Sequence, residues 1–439
     1  MSLFLEEIMK RHIGINSLII IIIIVSSSLF LYLFYLNSNK DEVQKEGYFI
    51  SEKTSISKEE LKNSKIFFNY VDSIYEKEYD LYNNSLPEDS YSKLIYDAET
   101  IEDGYNLLKP DKTISIEGFD NVSISAICGG KLLAGFFGTN RDQLGNERQI
   151  GKLVYDIEKE EVLFTLLPDD CNYSVVRCAL SENYIYWCEA IPYDSYLDDT
   201  WTIKGMDFQT RTPFTIFQTE DFKNTFAPNM GRCYKDSPYF YFNTEEEITK
   251  EYPDLEIQSV TNTAYGFDLL CYNPEEDYSL LKKAEFNFIY NPYAYPYIAE
   301  ENIYTVDYDG DNWYILGYHI PTETYTRYKI NMNHKSEYVQ GLKASSDYVV
   351  YQTNFSRYFL LDLHTLEVRE ISKSFSWYDI VKDNLFFSNH GYLYCYNISE
   401  NIYYKLLEEK SPVGYIIICN DNMCAVSNNS NREIYLFYR

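Results

Sequence analysis

The chain has 439 residues, 46 of them Tyr and 26 Phe, with a formal net charge of −29. That length accommodates one large domain with accessories, and the aromatic content favours pleated, half-buried β-structure. The acidic balance speaks against a nucleic-acid partner, because phosphate binding needs a basic patch; a metal ion, a glycan or a basic peptide fits the charge better.

In chain order, residues 1–17 form a short tail in which Lys10, Arg11 and His12 lead into an uncharged run, Leu18 to Leu36. At ~1.5 Å per residue this run is long enough to cross a hydrocarbon core of ~30 Å. Tyr32 and Tyr35 sit where an interfacial aromatic belt is expected. The run is too long for the apolar core of a cleaved signal peptide, and no small-residue cleavage site follows it. The expectation is a single-pass signal anchor over 18–36, with a cytoplasmic tail and everything after Lys40 outside the cell membrane. Residues 37–110 read as a stalk. Within it, SKEELKNSKIFFNYVDSIYEKEYDLYNN (57–84) spaces its apolar residues at three and four, which predicts a membrane-proximal helix.

Beyond residue 110 one pattern recurs. The stretch DNLFFSNHGYLYCYNISENIYYKL (383–406) holds three short apolar bursts separated by turn residues. ENYIYWCEA from Glu182, ENIYTVDYDGDNWYILGYHI from Glu301 and SDYVVYQTNFSRYFLLDLHTLEVREI from Ser346 repeat it. Asp156-Ile157, Asp207-Phe208 and Asp362-Leu363 share the ending of the third strand. Four short strands recurring every ~40–50 residues predict an all-β, seven-bladed β-propeller over 111–439, with six or eight blades as alternatives. The innermost strands are expected to start near Val122, Ser174, Asn229, Tyr293, Glu337, Phe375 and Pro412. The last unit lacks a fourth strand. KTISIEG (112–118) is therefore expected to complete it, closing the ring and removing an open edge.

The phrases ENYIYW, ENIYTVDYDGDNWYI and LLDLHTLEVREI resemble those of bacterial secreted or membrane-anchored β-propellers with Tyr-rich blades. These include a domain-of-unknown-function type related to TolB-like propellers. The resemblance covers about Asp111 to Arg439. It implies the fold and no particular reaction, since function lives in sites rather than folds.

Catalytic signatures are missing: the sequence has no Gly-x-Ser-x-Gly, no His-Glu-x-x-His and no phosphate-binding glycine loop. Of its five histidines, His12 flanks the apolar run, and His319, His334, His364 and His390 are expected at or near strand ends and turns. Asp307, Asp309 and Asp311 in DYDGDNW could begin a calcium loop, but Gly310 is misplaced for an EF-hand, and a hairpin turn is the simpler expectation. No other cofactor is expected. Cys178/Cys188 and Cys419/Cys424 flank predicted hairpin turns symmetrically, so each could be a cross-strand pair.

Three long loops between second and third strands, Gly138–Ile150, Ala190–Thr200 and Thr244–Ala264, are expected to raise a rim on one face. They carry Arg141, Arg148, Tyr193, Tyr196, Asp198, Asp199, Glu245, Glu246 and Tyr252, with Trp201 at a strand entry. Mixed aromatics and acids suit a glycan, a peptide or another protein. The expected function is an extracytoplasmic binding or scaffold module. The alternative is a cell-envelope glycan hydrolase or lyase built on the same loop carboxylates.

Overall fold

A computed structural model describes most of residues 106–439, together with 56–57, 69–70, 74–81 and 83–84. It leaves out 120–121, 142–146, 169–172, 191–200, 219–228, 252–258, 275–279, 289–295, 309–311, 333–336, 373–374, 408–409, 412–413, 421 and 429–432. Residues 18–36 lie outside the described set. Among the described residues no helix is long and apolar enough to cross a membrane.

The described strands form seven sheets, each built on a blade of four antiparallel strands ordered from centre to periphery. The innermost strands are Val122–Cys128, Ser174–Leu180, Asn229–Tyr234, Tyr297–Ala299, Val339–Ala344, Trp377–Val381 and Tyr415–Asn420, which define blades 1 to 7. The expected starts fall on these strands or within a few residues of them. Residues 383–406 supply the outer three strands of blade 6: Asn384–Asn389, Tyr392–Asn397 and Ile402–Lys405. His390 and Gly391 join the second and third strands of this blade with φ of 49° and 84°, the left-handed pair that a tight two-residue connection needs.

Successive residues in a strand point to opposite faces, and both faces of a blade are covered by neighbours. Tyr186 accordingly packs towards blade 3 and Trp187 towards blade 1, so YIYWCEA needs apolar groups on both sides. Among the described residues there is one hydrophobic cluster at each of the seven blade junctions, including the junction of blade 7 with blade 1. That last cluster contains Ile114 and Ile116. The strand Lys112–Ser115 pairs antiparallel with Glu433–Tyr438, placing Ile114 opposite Ile434, so the N-terminal closing strand is present as expected.

The recurring third-strand Asp has a structural task. Asp156 accepts from the backbone N–H of Glu158 and Lys159, and Asp362 accepts from those of His364 and Thr365. The next residue ties this turn to the first hairpin of its blade: Ile157 N–H donates to Gly130 O, and Leu363 N–H to Asp347 O, both at 2.9 Å. A local side-chain-to-backbone bond fixes the turn, and the backbone bond then locks the two hairpins side by side.

The stretch read as a stalk with a helix differs from that expectation wherever it is described. Ile74–Asp80 is a strand that runs parallel along Thr324–Ile330, the outermost strand of blade 4. Asn69–Tyr70, Asn83–Asn84 and Asn106–Leu107 do the same on blades 3, 5 and 6. The segment is thus a belt around consecutive blades before it closes blade 7. Edge strands offer unpaired N–H and C=O groups, and pairing with them outweighs weak local helix propensity. Leu81 is fully buried within the blade 4–blade 5 cluster, its N–H bonded to Lys329 O at 3.0 Å. Tyr79 stacks on Tyr328 with centroids 5.6 Å apart. Leu81→Ala is expected to destabilise the propeller by about 3 kcal/mol, the usual cost of emptying a buried leucine site. Urea unfolding checks this, and a change under about 0.5 kcal/mol would mean the belt does not support the ring.

Candidate functional site

The seven innermost strands surround a channel whose cavity is about 780 Å³, with wall residues from every blade. Much of the wall comes from the C-terminal halves of these strands and the turns that follow, including Ile127, Leu180, Lys235, Glu300, Glu301 and Asn420. The cavity therefore lies towards the face opposite the expected rim, because a second-to-third-strand loop emerges at the other end of each blade.

Charged groups occupy the middle of this channel. Asp379, on the innermost strand of blade 6, has no exposed surface. Its Oδ2 accepts from Arg232 Nη2 of blade 3 at 3.0 Å and from the backbone N–H of Cys419 of blade 7 at 2.7 Å. Its Oδ1 accepts from the Tyr297 hydroxyl of blade 4 and from the Ile380 N–H. One carboxylate thus joins four blades. The Arg232 guanidinium also lies over the Tyr297 ring, 4.4 Å from its centroid, and the Lys343 ammonium of blade 5 lies 4.7 Å from the same centroid. Both are cation–π contacts in a partly desolvated setting.

Burial dominates the electrostatics. Desolvation pushes the Tyr297 phenol well above its ordinary value; Arg232 opposes the shift and Asp379 adds to it. Desolvation also holds the Lys343 ammonium below its ordinary 10.5, against the pull of Asp379 and with the push of Arg232. Cys419, beside this cluster, is raised by burial and then by its neighbour Cys424. Cys419 and Cys424 are directly opposed across a hairpin, whereas a bulge shifts Cys178 opposite Trp187 and Cys188 opposite Val176. All four are free thiols.

The expected rim residues fall differently. Trp201 is 4% exposed and packs edge-on against Phe217, at 5.8 Å and 90°, inside the blade 2–blade 3 core. Its ring is a core element and cannot stack on a ligand at a rim. Glu245 and Glu246 belong to the long strand Ser237–Glu251, opposite Tyr265 and Ala264, so the stretch expected as a loop is largely an extended hairpin. Arg141 ends one strand and pairs with Glu147, and Arg148 follows on the partner strand, which again shortens the expected loop. Tyr193, Tyr196, Asp198, Asp199 and Tyr252 lie outside the described residues, as do Asp309 and Asp311. Asp307 sits on Asn302–Tyr308, opposite Tyr314, in a hairpin whose last described pair is Tyr308 with Trp313.

Sequence reasoning missed Arg232, Tyr297, Lys343 and Asp379. A signal was available in charges set inside predicted innermost strands: Arg in NMGRCY, Lys in VQGLKA and Asp in WYDIV.

The topology, register and seven interblade cores define a closed seven-bladed β-propeller. No family model matches the chain, and no curated protein matches it. Among solved structures, the Dos1 propeller is similar at 9% identity and a TM-score of 0.43, over 75% of this chain and 95% of that one. The β-propeller domain of the Trilobed protease from Pyrococcus furiosus, described as having an open velcro topology, is similar at 10% identity and a TM-score of 0.45, over 72% and 95%. The Cps50 (Swd1) propeller domain of Myceliophteria thermophila is similar at 10% identity and a TM-score of 0.42, over 76% and 100%.

Proposed function

We propose that the protein is a binding or scaffold module displayed outside a cell membrane, held there by the apolar run 18–36. The observation that carries the binding part is the channel: a concave space of about 780 Å³ enclosed by seven blades, with apolar walls and a few convergent charged groups. The anchored, extracytoplasmic part rests on the length and flanks of 18–36. It agrees with the resemblance to Tyr-rich membrane-anchored propellers. A glycan, a peptide or a protein remains the class of partner, with calcium as a further candidate at 307–311. Asp379 offers the hydrolase alternative no free acid or base, because both its oxygens are engaged by donors from its own and other blades.

Fractionation of expressing cells tests the anchor. The full chain is expected to stay with membranes after alkaline carbonate washing and to be digested by protease added outside. Removal of residues 1–36 is expected to abolish both properties. Recovery of the full chain in the soluble cytoplasmic fraction would overturn this reading. Crosslinking in intact cells then tests the module itself, with a discrete partner adduct expected.

A further inference from the structure

We propose that Lys343, in the channel cluster, binds the carboxylate of a singly charged ligand, either a small organic acid or the free C-terminus of a peptide. This deepens the reading of the propeller as a binding module by naming what its channel takes.

The argument begins with Lys343. Its ammonium carries three N–H donors into the cavity wall, and its contact there is the face of Tyr297, 4.7 Å away. Among the described residues it makes no hydrogen bond. Lys343 is half-buried, so its N–H donors stay open to whatever enters the cavity, and a charged acceptor there makes a stronger hydrogen bond than a neutral one. Burial lowers the proton affinity of Lys343, which fits a cation whose surroundings do not fully compensate it. Asp379 is the counter-charge within the cluster, and its oxygens already accept from Arg232, Tyr297, Ile380 and Cys419.

Charge counting then selects the ligand. Asp379 is already bonded to Arg232, which leaves the Lys343 ammonium as the charge to be matched. One carboxylate neutralises that ammonium and accepts its N–H donors in a charge-assisted hydrogen bond. A dianion would overshoot. It would also meet Glu182, Glu300 and Glu301, which line the same cavity with Lys235 as the accompanying cation. The remaining wall accepts an apolar body, with Ile127, Met230, Leu342 and Tyr378 all on the lining. A volume of about 780 Å³ holds a small acid or the last residues of a peptide.

The test is calorimetric titration of the purified full chain in detergent at neutral pH, with N-acetylglycine as the first probe. Saturable binding is expected, and N-acetylglycinamide, which lacks the charge, should bind at least tenfold more weakly. Succinate should also bind more weakly than N-acetylglycine. Lys343→Met should abolish binding while leaving the melting temperature unchanged or higher, because it removes a cation that burial disfavours; Lys343→Arg should retain binding. If Lys343→Met fails to fold, Lys343→Gln decides the point. An acetylated tripeptide with a free C-terminus, compared with its amide, distinguishes the sources. Binding at least tenfold tighter than N-acetylglycine identifies a chain terminus, and equal or weaker binding identifies a small acid. The proposal is overturned if the wild-type chain gives no saturable heat, or if the amide or the Lys343→Met variant binds equally well. Should that happen while crosslinking still yields a partner adduct, the carboxylate site falls and the binding module stands. If crosslinking also fails, both fall.

Discussion

Raising the pH through about 9 to 11 is expected to unfold the propeller in one steep step, because its cores are built from phenols and thiols that must stay protonated. Desolvation pushes Tyr186, Tyr239, Tyr297, Tyr304, Tyr351 and Tyr378 above their ordinary 10.0, and Tyr358 up to about 12. Among the buried thiols, Cys188 rises to about 12 from 9.0, and Cys395, Cys419 and Cys424 rise as well. A group whose folded pKa exceeds its unfolded one binds more protons when folded. Its contribution is complete below the unfolded pKa and is lost as pH rises towards the folded one. One unit above the unfolded value, each such group has withdrawn about 1.4 kcal/mol. Seven phenols at about pH 11 together withdraw about 10 kcal/mol, and the thiols start the loss a unit earlier. That matches the whole stability of a typical fold, about 5–15 kcal/mol. Lys343 acts in the opposite sense, since its lowered pKa relieves a penalty as pH rises, but it is one group against many. The measurement is a pH titration followed by circular dichroism and phenolate absorbance together. Coincident transitions are expected. Gradual phenolate formation around pH 10 with the β signal intact would sink the idea.

The same aromatic density made the fold legible. Blade strands are covered on both faces, so they read as short apolar bursts, and the turns between them are fixed by local Asp side chains such as Asp156 and Asp362. Both signals are local, and the blade starts followed from them. The closing strand was legible for a different reason: a four-stranded repeat that ends after three strands leaves an edge to be filled. The belt was not. Tyr79 and Leu81 stand two apart, as one face of a strand requires, yet the same stretch also fits a helical spacing. What decides between them is an edge about 250 positions away, where Asn331 Nδ2 donates to Leu81 O. The channel cluster lies between these cases. A charge inside each of three apolar innermost strands is visible as an anomaly, but the pairing of Arg232 with Asp379 spans 147 positions and depends on ring closure. The three long stretches between second and third strands stand out by length alone. Two of them are partly strand, because long hairpins continue their ladders beyond the blade.

Asp379→Ala is expected to cost about 3–5 kcal/mol, as happens when one partner of a buried ion pair is removed and the other charge stays behind. The position magnifies the effect. From blade 6 the carboxylate reaches Arg232 of blade 3 across the channel, Tyr297 of blade 4 and the Cys419 N–H of blade 7. Alanine takes the acceptor from all three at once and leaves the charges of Arg232 and Lys343 without their carboxylate. Asp379→Asn keeps the shape and one acceptor oxygen, so it should cost less, about 1–3 kcal/mol. Removing both charges separates the ion pair from the space it fills. If the pair itself matters, Arg232→Met combined with Asp379→Ala should be less damaging than the sum of the two single changes, by about 1–3 kcal/mol. Urea unfolding of the four proteins gives that coupling directly. A single Asp379→Ala cost below about 1 kcal/mol, or strict additivity with Arg232→Met, would show that the seven interblade cores hold the ring without its central carboxylate. The expected result instead makes Asp379 the link through which the channel cluster and ring stability depend on each other. On that account a carboxylate arriving at Lys343 should stabilise the whole propeller in proportion to its occupancy.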